Sequence, residues 1–259
     1  TAHALAWATQ PAGAHPGWWA EKLSTVRVFA RHGHLLDPRH EIPSVDLLPA
    51  RFPRSTPVLY SPDEIRRLLQ ATRSMPSPFR RATYETLFGL LATTGLRVGE
   101  AIRLDARDVD WGHQLLVIRE SKFRHSREVV LHATVVRALR RYAVECGRVH
   151  VTPRSPSFFV SLTGTRLIYS NVQHTFAALR RRAGLTRARA RIHDLRHTFA
   201  VQTLLRWHRD GADVEARMPR LSTYLGHRHP ASTYWYLTAA PELMALVGRK
   251  LQRALGALP

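Results

Sequence analysis

The residues of this sequence that could do chemistry fall in five short stretches. Thr94-Gly-Leu-Arg97-Val-Gly-Glu100 comes first, then Ser121-Lys122-Phe-Arg, then His193-Asp-Leu-Arg196-His197, then Leu225-Gly-His227; nine residues after that histidine stands Tyr236. A guanidinium is a planar, two-pronged donor that suits phosphate oxygens better than a point charge does. A phenol can be a nucleophile, an imidazole can exchange protons near neutrality, and an ammonium can protonate a leaving oxygen. Such a set could attack a phosphate ester, neutralise its transition state and release an alcohol without a metal. Taken singly, none of these residues decides anything, because arginines and histidines mostly lie on solvated faces or satisfy a local hydrogen bond. Lys122 is the least accidental, since the chain has only Lys22, Lys122 and Lys250.

The formal charge is +20 at pH 7, from 39 Lys and Arg against 19 Asp and Glu. A surface that positive calls for a polyanionic partner, and nucleic acid is the first candidate. A basic amphipathic helix on a membrane surface would concentrate the charge, whereas the arginines here are spread along the chain. No apolar run reaches the roughly 20 residues that span a bilayer, and no signal-like segment opens the sequence, so a cytoplasmic protein without membrane contact is expected. The single cysteine, Cys146, excludes an internal disulfide and a cysteine-rich zinc site. No metal and no cofactor is expected.

In this order and spacing the five motifs resemble the tyrosine site-specific recombinases of the phage-integrase type, over residues 58–240. The resemblance implies an α+β fold: a mostly helical catalytic domain with a small three-stranded antiparallel sheet, preceded by part of an all-helical core-binding domain. It implies that Tyr236 attacks a DNA phosphate, holds it as a 3′-phosphotyrosine and releases a 5′ hydroxyl. Arg97 and Arg196 would grip the non-bridging oxygens, with Glu100 orienting Arg97. Lys122 would protonate the leaving oxygen from a hairpin turn. His193 would activate or position the tyrosine and the phosphate, and His227 would hydrogen-bond a phosphate oxygen. His197 is expected to pack or cap locally, and Asp194 to cap a helix or orient an arginine. Double-stranded DNA is the implied partner, bound by a homo-oligomer that is a tetramer on DNA. Tyr234 is the rival nucleophile; two residues on a helix are roughly 200° apart, so both tyrosines cannot face one phosphate. The family spacing selects Tyr236, which leaves Tyr234 and Trp235 to core or interface packing.

The elements that must position these groups follow from pattern. Ser61-Pro62-Asp63-Glu64 combines a cap, a proline at the first helical position and a capping-box glutamate, so a helix over residues 62–71 is expected. Apolar periodicity predicts further helices over 18–34, 79–93, 134–146, 170–183, 193–209, 217–225, 230–239 and 241–258. The last of these would pack on the core or dock on a neighbouring subunit. Alternating stretches at 103–109, 114–120 and 127–131 predict the sheet, with Lys122 in or beside its second hairpin turn. The expected organisation is a partial helical domain over 1–48, a basic proline-containing linker over 49–57 and the catalytic domain over 58–259.

Two other readings compete. A tyrosine relaxase would use a metal held by paired histidines, and His227-Arg-His229 has a superficial likeness to that pair. A non-catalytic DNA-binding protein descended from a recombinase would share the charge and the short helices. The ordered set of reactive residues argues against both.

Overall fold

A computed structural model describes residues 1–48, 56–119, 126–150, 152, 154–227, 229–239, 244, 245, 248 and 252. The chain forms two compact units, Thr1–Ser55 and Thr56–Pro259. The expected linker and the expected helix at 241–258 fall largely outside the described residues, as does Lys122.

In the first unit, α1 (Ala2–Ala8) packs against α2 (Pro16–Leu36). Leu23 is fully buried on α2, with Trp19, Val26 and Ala30 partly buried at helical spacing beside it. Lys22 joins the tryptophan-rich start to the helix: its ammonium donates to the carbonyls of Trp7 and Gln10 at 2.8 Å and lies over the Trp7 ring. Arg27 is buried, and it donates to the carbonyls of Pro43, Ser44 and Leu47, so its charge ties down the segment after the helix.

The second unit begins at a capping box. The Ser61 hydroxyl accepts from the Glu64 amide and the Glu64 carboxylate from the Ser61 amide, which starts α3 (Pro62–Ala71) where the sequence predicts it. The long apolar helix α4 (Pro78–Thr94) sits centrally, against α6 (Ala133–Val149) on one side and α8 (Asp194–Arg209) on another. Between α4 and α6 lie the short helix α5 (Val98–Arg103) and the antiparallel strands β1 (Val109–Asp110), β2 (Leu115–Ile118) and β3 (Arg127–Val130), in the order β1-β2-β3. Leu115 pairs with Val130 and Ile118 with Arg127, the register of a hairpin. The α+β class and the three-stranded sheet are as expected.

The first strand is shorter than its alternation suggests. Residues 103–109 are mostly the end of α5 and a 3-10 turn at Ala106–Asp108, because the Asp108 carboxylate accepts from the Asp105 amide and closes a local turn instead of pairing in the sheet.

α7 (Tyr169–Arg182), α9 (Val214–Leu225) and α10 (Ala231–Ala239) are the further helices among the described residues of this unit. The buried apolar residues described form two clusters. The larger surrounds Leu87, Phe88, Leu116, Leu139, Phe159 and Phe176; the smaller joins Val201, Leu204, Met218, Leu221 and Leu225 to Tyr236. α8 spans both, with Leu195 in the first cluster and Leu204 in the second. Polar residues on its first two turns therefore lie where the clusters meet.

Candidate active site

Two helices end at glycines in the left-handed conformation, α4 at Gly95 (φ 63°) and α9 at Gly226 (φ 67°). Their terminal carbonyls hold an arginine. Arg196, 2% exposed, donates through Nη1 to the Gly95 carbonyl and through Nη2 to the Leu225 carbonyl, both at 2.7 Å. The negative poles of two helices thus solvate a buried cation that, among the described residues, no carboxylate contacts. Burial, with the Arg97 cation nearby, lowers the Arg196 pKa to about 10, so it stays charged at neutral pH.

Arg97 is the N-cap of α5 and is held from both ends. Its amide donates to Glu100 Oε2 at 2.9 Å, its Nη1 to Glu100 Oε1 at 2.8 Å and its Nη2 to the Gly226 carbonyl at 2.8 Å. Glu100 orients Arg97, as the sequence suggests, and it also has a second partner. Arg127, at the head of β3, donates to the same carboxylate through Nη1 at 3.1 Å and Nη2 at 2.8 Å, and through Nε to the Tyr224 carbonyl at 2.8 Å. Burial alone would raise the Glu100 pKa; Arg127 and Arg97 outweigh it and hold the carboxyl at about 2. Sequence reading missed Arg127. The signal was available, because 127, 129 and 131 share one face of a strand and an inward-facing charge requires a buried partner.

Tyr236 is 2% exposed, whereas Tyr234 is 42% exposed. Tyr234 is therefore not part of the core, contrary to one half of its expected role; the helical rotation puts it on the outer face of α10. The Tyr236 phenol lies 3.2 Å from Nδ1 of His197, and its ring stacks on His227 with centroids 6.0 Å apart. His227 is itself fixed by Thr233 Oγ1, 2.6 Å from its Nδ1. His193 stands at the N-terminus of α8 with its ring edge-on to His197, centroids 4.8 Å apart. His197, expected to pack or cap locally, is the imidazole on the phenol. Its signal was the spacing, since positions 193 and 197 lie one helical turn apart. Asp194 accepts from the Arg191 amide at 2.7 Å and caps the turn.

Burial, with the arginine cluster and neighbouring histidines, lowers His193 to about 4 and His197 and His227 to about 3. All three are neutral at pH 7 and can accept or donate one hydrogen bond on each ring nitrogen, according to tautomer. The structure brings together Arg97, His193, Arg196, His227 and Tyr236 of the expected set, with Glu100 on Arg97 as expected, and adds Arg127 and His197. Among the described residues, no group of three or more His, Cys, Asp or Glu is placed to hold a metal ion.

Residues 59–242 match the model of the phage integrase family. The chain belongs to this family. As a tyrosine recombinase it is 46% identical to a putative integrase/recombinase, y4rB, of Sinorhizobium fredii, over 96% of this chain and 83% of the relative. The XerA recombinase structure superposes with a TM-score of 0.61 at 24% identity, covering 100% of this chain and 83% of XerA. The XerH site-specific recombinase, solved with its palindromic difH substrate as a post-cleavage complex, gives a TM-score of 0.71 at 16% identity, covering 99% of this chain and 71% of XerH. Family membership makes this recombinase an enzyme of site-specific recombination.

Proposed function

We propose that this recombinase cuts and rejoins double-stranded DNA without a metal, through a covalent 3′-phosphotyrosine on Tyr236. The observation that carries the reading is the packing of a buried phenol against His197 and His227, in the same cluster as two guanidiniums pinned by helix-terminal carbonyls. A DNA phosphate entering this cluster would meet the remaining N–H groups of Arg97 and Arg196 on its non-bridging oxygens. His227, whose Nδ1 is occupied by Thr233, would turn Nε2 to a third contact on the phosphate. The phosphate also brings negative charge, which raises the proton affinity of the nearby imidazoles as the reaction proceeds. His197 then takes the phenolic proton, with His193 packed against its ring.

The phenolic oxygen bonds to phosphorus, the bond from phosphorus to the 5′ oxygen breaks, and that oxygen takes a proton from Lys122. The reverse sequence on another 5′ hydroxyl rejoins the strand, since the phosphotyrosine retains the ester bond energy. The charge of +20 supports DNA as the partner, as does the difH-bound XerH neighbour. In this reading the Thr1–Ser55 unit forms part of the DNA grip, and four copies assemble on a recombining pair of sites.

A nicked duplex labelled at one end tests the chemistry. The labelled strand should become covalently attached to protein in the presence of EDTA, through the 3′ phosphate of the cut. Loss of the adduct on chelation, or attachment through a 5′ phosphate, would overturn the proposal.

A further inference from the structure

We propose that Thr233 is a positioning residue that sets the tautomer of His227: its hydroxyl donates to Nδ1 of the imidazole and so keeps the ring hydrogen on Nε2, for the DNA phosphate. This role rests on the reading of His227 as a phosphate contact.

A tight return of the chain brings the two residues together. His227 follows the Gly226 cap of α9, and its amide donates to the Ser222 carbonyl at 3.0 Å. The Thr233 amide donates to the Pro230 carbonyl at 2.7 Å in the first turn of α10. Thr233, 0% exposed, then has its Oγ1 2.6 Å from His227 Nδ1. Tyr236 lies about one turn further along α10, is buried like Thr233, and stacks its ring on the same imidazole.

Other threonines of the fold show what is unusual here. The hydroxyls of Thr83, Thr94, Thr198, Thr203 and Thr223 each donate to the carbonyl four residues back. Among the described residues, the hydroxyl of Thr233 has the His227 imidazole as its partner instead, so its proton is available to a ring nitrogen.

Burial, with the guanidiniums of Arg196, Arg97 and Arg127, holds His227 neutral, so the ring carries one hydrogen. Two arrangements satisfy the contact with Thr233. If Nδ1 kept the hydrogen and gave it to Oγ1, Nε2 would turn a lone pair toward an anionic oxygen and repel it. If the hydroxyl donates, Nε2 keeps the hydrogen and can give it to the phosphate. Only the second serves the reaction, and a hydroxyl, with one proton to give, can enforce it. Valine would fill nearly the same space without the proton; serine would keep the proton without the methyl group.

Two measurements test this. The first is the ring-nitrogen NMR spectrum of the free protein carrying nitrogen-labelled histidine, with His227 assigned by its absence from His227→Phe. Wild type and Thr233→Ser should show the His227 hydrogen on Nε2 and an accepting Nδ1, and Thr233→Val should shift the Nδ1 resonance. A hydrogen on Nδ1 in wild type would overturn the proposal, and so would an Nδ1 resonance indifferent to loss of the hydroxyl.

The second is a double-mutant cycle in single-turnover adduct formation, on a suicide duplex selected from a random pool by covalent capture on the wild-type protein. His227→Phe, which keeps a ring beside Tyr236, should slow cleavage about 100-fold, as loss of a fixed donor to an oxyanion does. Thr233→Val should slow it about 3- to 10-fold, the worth of one hydrogen bond, and Thr233→Ser should restore most of the rate. In the His227→Phe background, Thr233→Val should cost nothing further. A packing role would persist there, so an equal loss in both backgrounds would overturn the proposal. If His227→Phe cleaves at the wild-type rate, the reading of His227 as a phosphate contact fails and the role given to Thr233 falls with it. The two failures are told apart because the nitrogen spectrum reads the Thr233 bond without DNA.

Discussion

The Nδ1 of His197 lies 3.2 Å from the phenolic oxygen of Tyr236, on an imidazole that burial keeps neutral at pH 7. A neutral ring can accept the phenolic proton, which a protonated ring could not. Replacement of His197 by Phe should therefore slow covalent adduct formation by about 10- to 100-fold with little change in DNA affinity. His197→Asn, which restores an acceptor near the same position, should recover part of the loss. Single-turnover kinetics beside a binding titration separates the two effects; equal losses in both would mean that His197 only holds the fold.

Arg97 and Arg196 differ in how they are supported, and their variants should differ accordingly. Lysine at either position should reduce the cleavage rate by about 100- to 1,000-fold, the usual cost of losing a fixed donor to an oxyanion. Arg97 side-chain exposure is 28%, so Arg97→Lys should melt near wild type. Arg196→Lys leaves one of two buried helix-terminal carbonyls without its donor and should melt several degrees lower. Calorimetry on both proteins checks the contrast.

Gly226→Ala should destabilise the protein by about 1 kcal/mol or more, because alanine is strained at φ 67° and its Cβ meets the Arg127 guanidinium. Gly95→Ala meets the Phe199 ring at 2.6 Å and should be at least as costly. Denaturant unfolding of each variant gives the comparison. An unchanged midpoint for either would show that its cap relaxes freely.

Stability should fall with acidification in two stages. His193, His197 and His227 have folded pKa values of about 4, 3 and 3, below the ordinary 6.5, so the unfolded chain binds protons that the folded chain refuses. Their contribution is fully present above pH 6.5 and is lost as the pH falls through that range towards 3. Glu100, held at about 2 against an ordinary 4.5, adds a second loss below pH 4.5. Melting temperature should thus decline from pH 7 to pH 5, and His227→Gln should flatten that slope.

How much of this the sequence makes legible depends on the range of the interactions. The helices from 62 to 239 carry local signals: the box at Ser61 and Glu64, the glycine stops at Gly95 and Gly226, and an apolar period that survives burial. The motif order was enough to pick out the five clustered residues Arg97, His193, Arg196, His227 and Tyr236. The stretch 103–109 reads as a strand because Leu104 and Val109 are apolar with charges between; Asp105 and Asp108 instead engage Arg166, Arg119 and their own backbone. For Arg127 and His197 the local pattern marks an inward-facing position and a shared helix face but not the partner. Their partners, Glu100 and Tyr236, are 27 and 39 residues away, and no local pattern encodes an ion pair or hydrogen bond at that distance.

The most direct test of the account compares Tyr236→Phe with Tyr234→Phe on a suicide duplex that traps cleaved strands. Tyr234, 42% exposed on the opposite face of its helix, should be dispensable, and its variant should form the covalent protein–DNA adduct at close to the wild-type rate. Tyr236→Phe should form none while still binding the duplex. An adduct with Tyr236→Phe, or its loss with Tyr234→Phe alone, would contradict the assignment on which the whole mechanism rests.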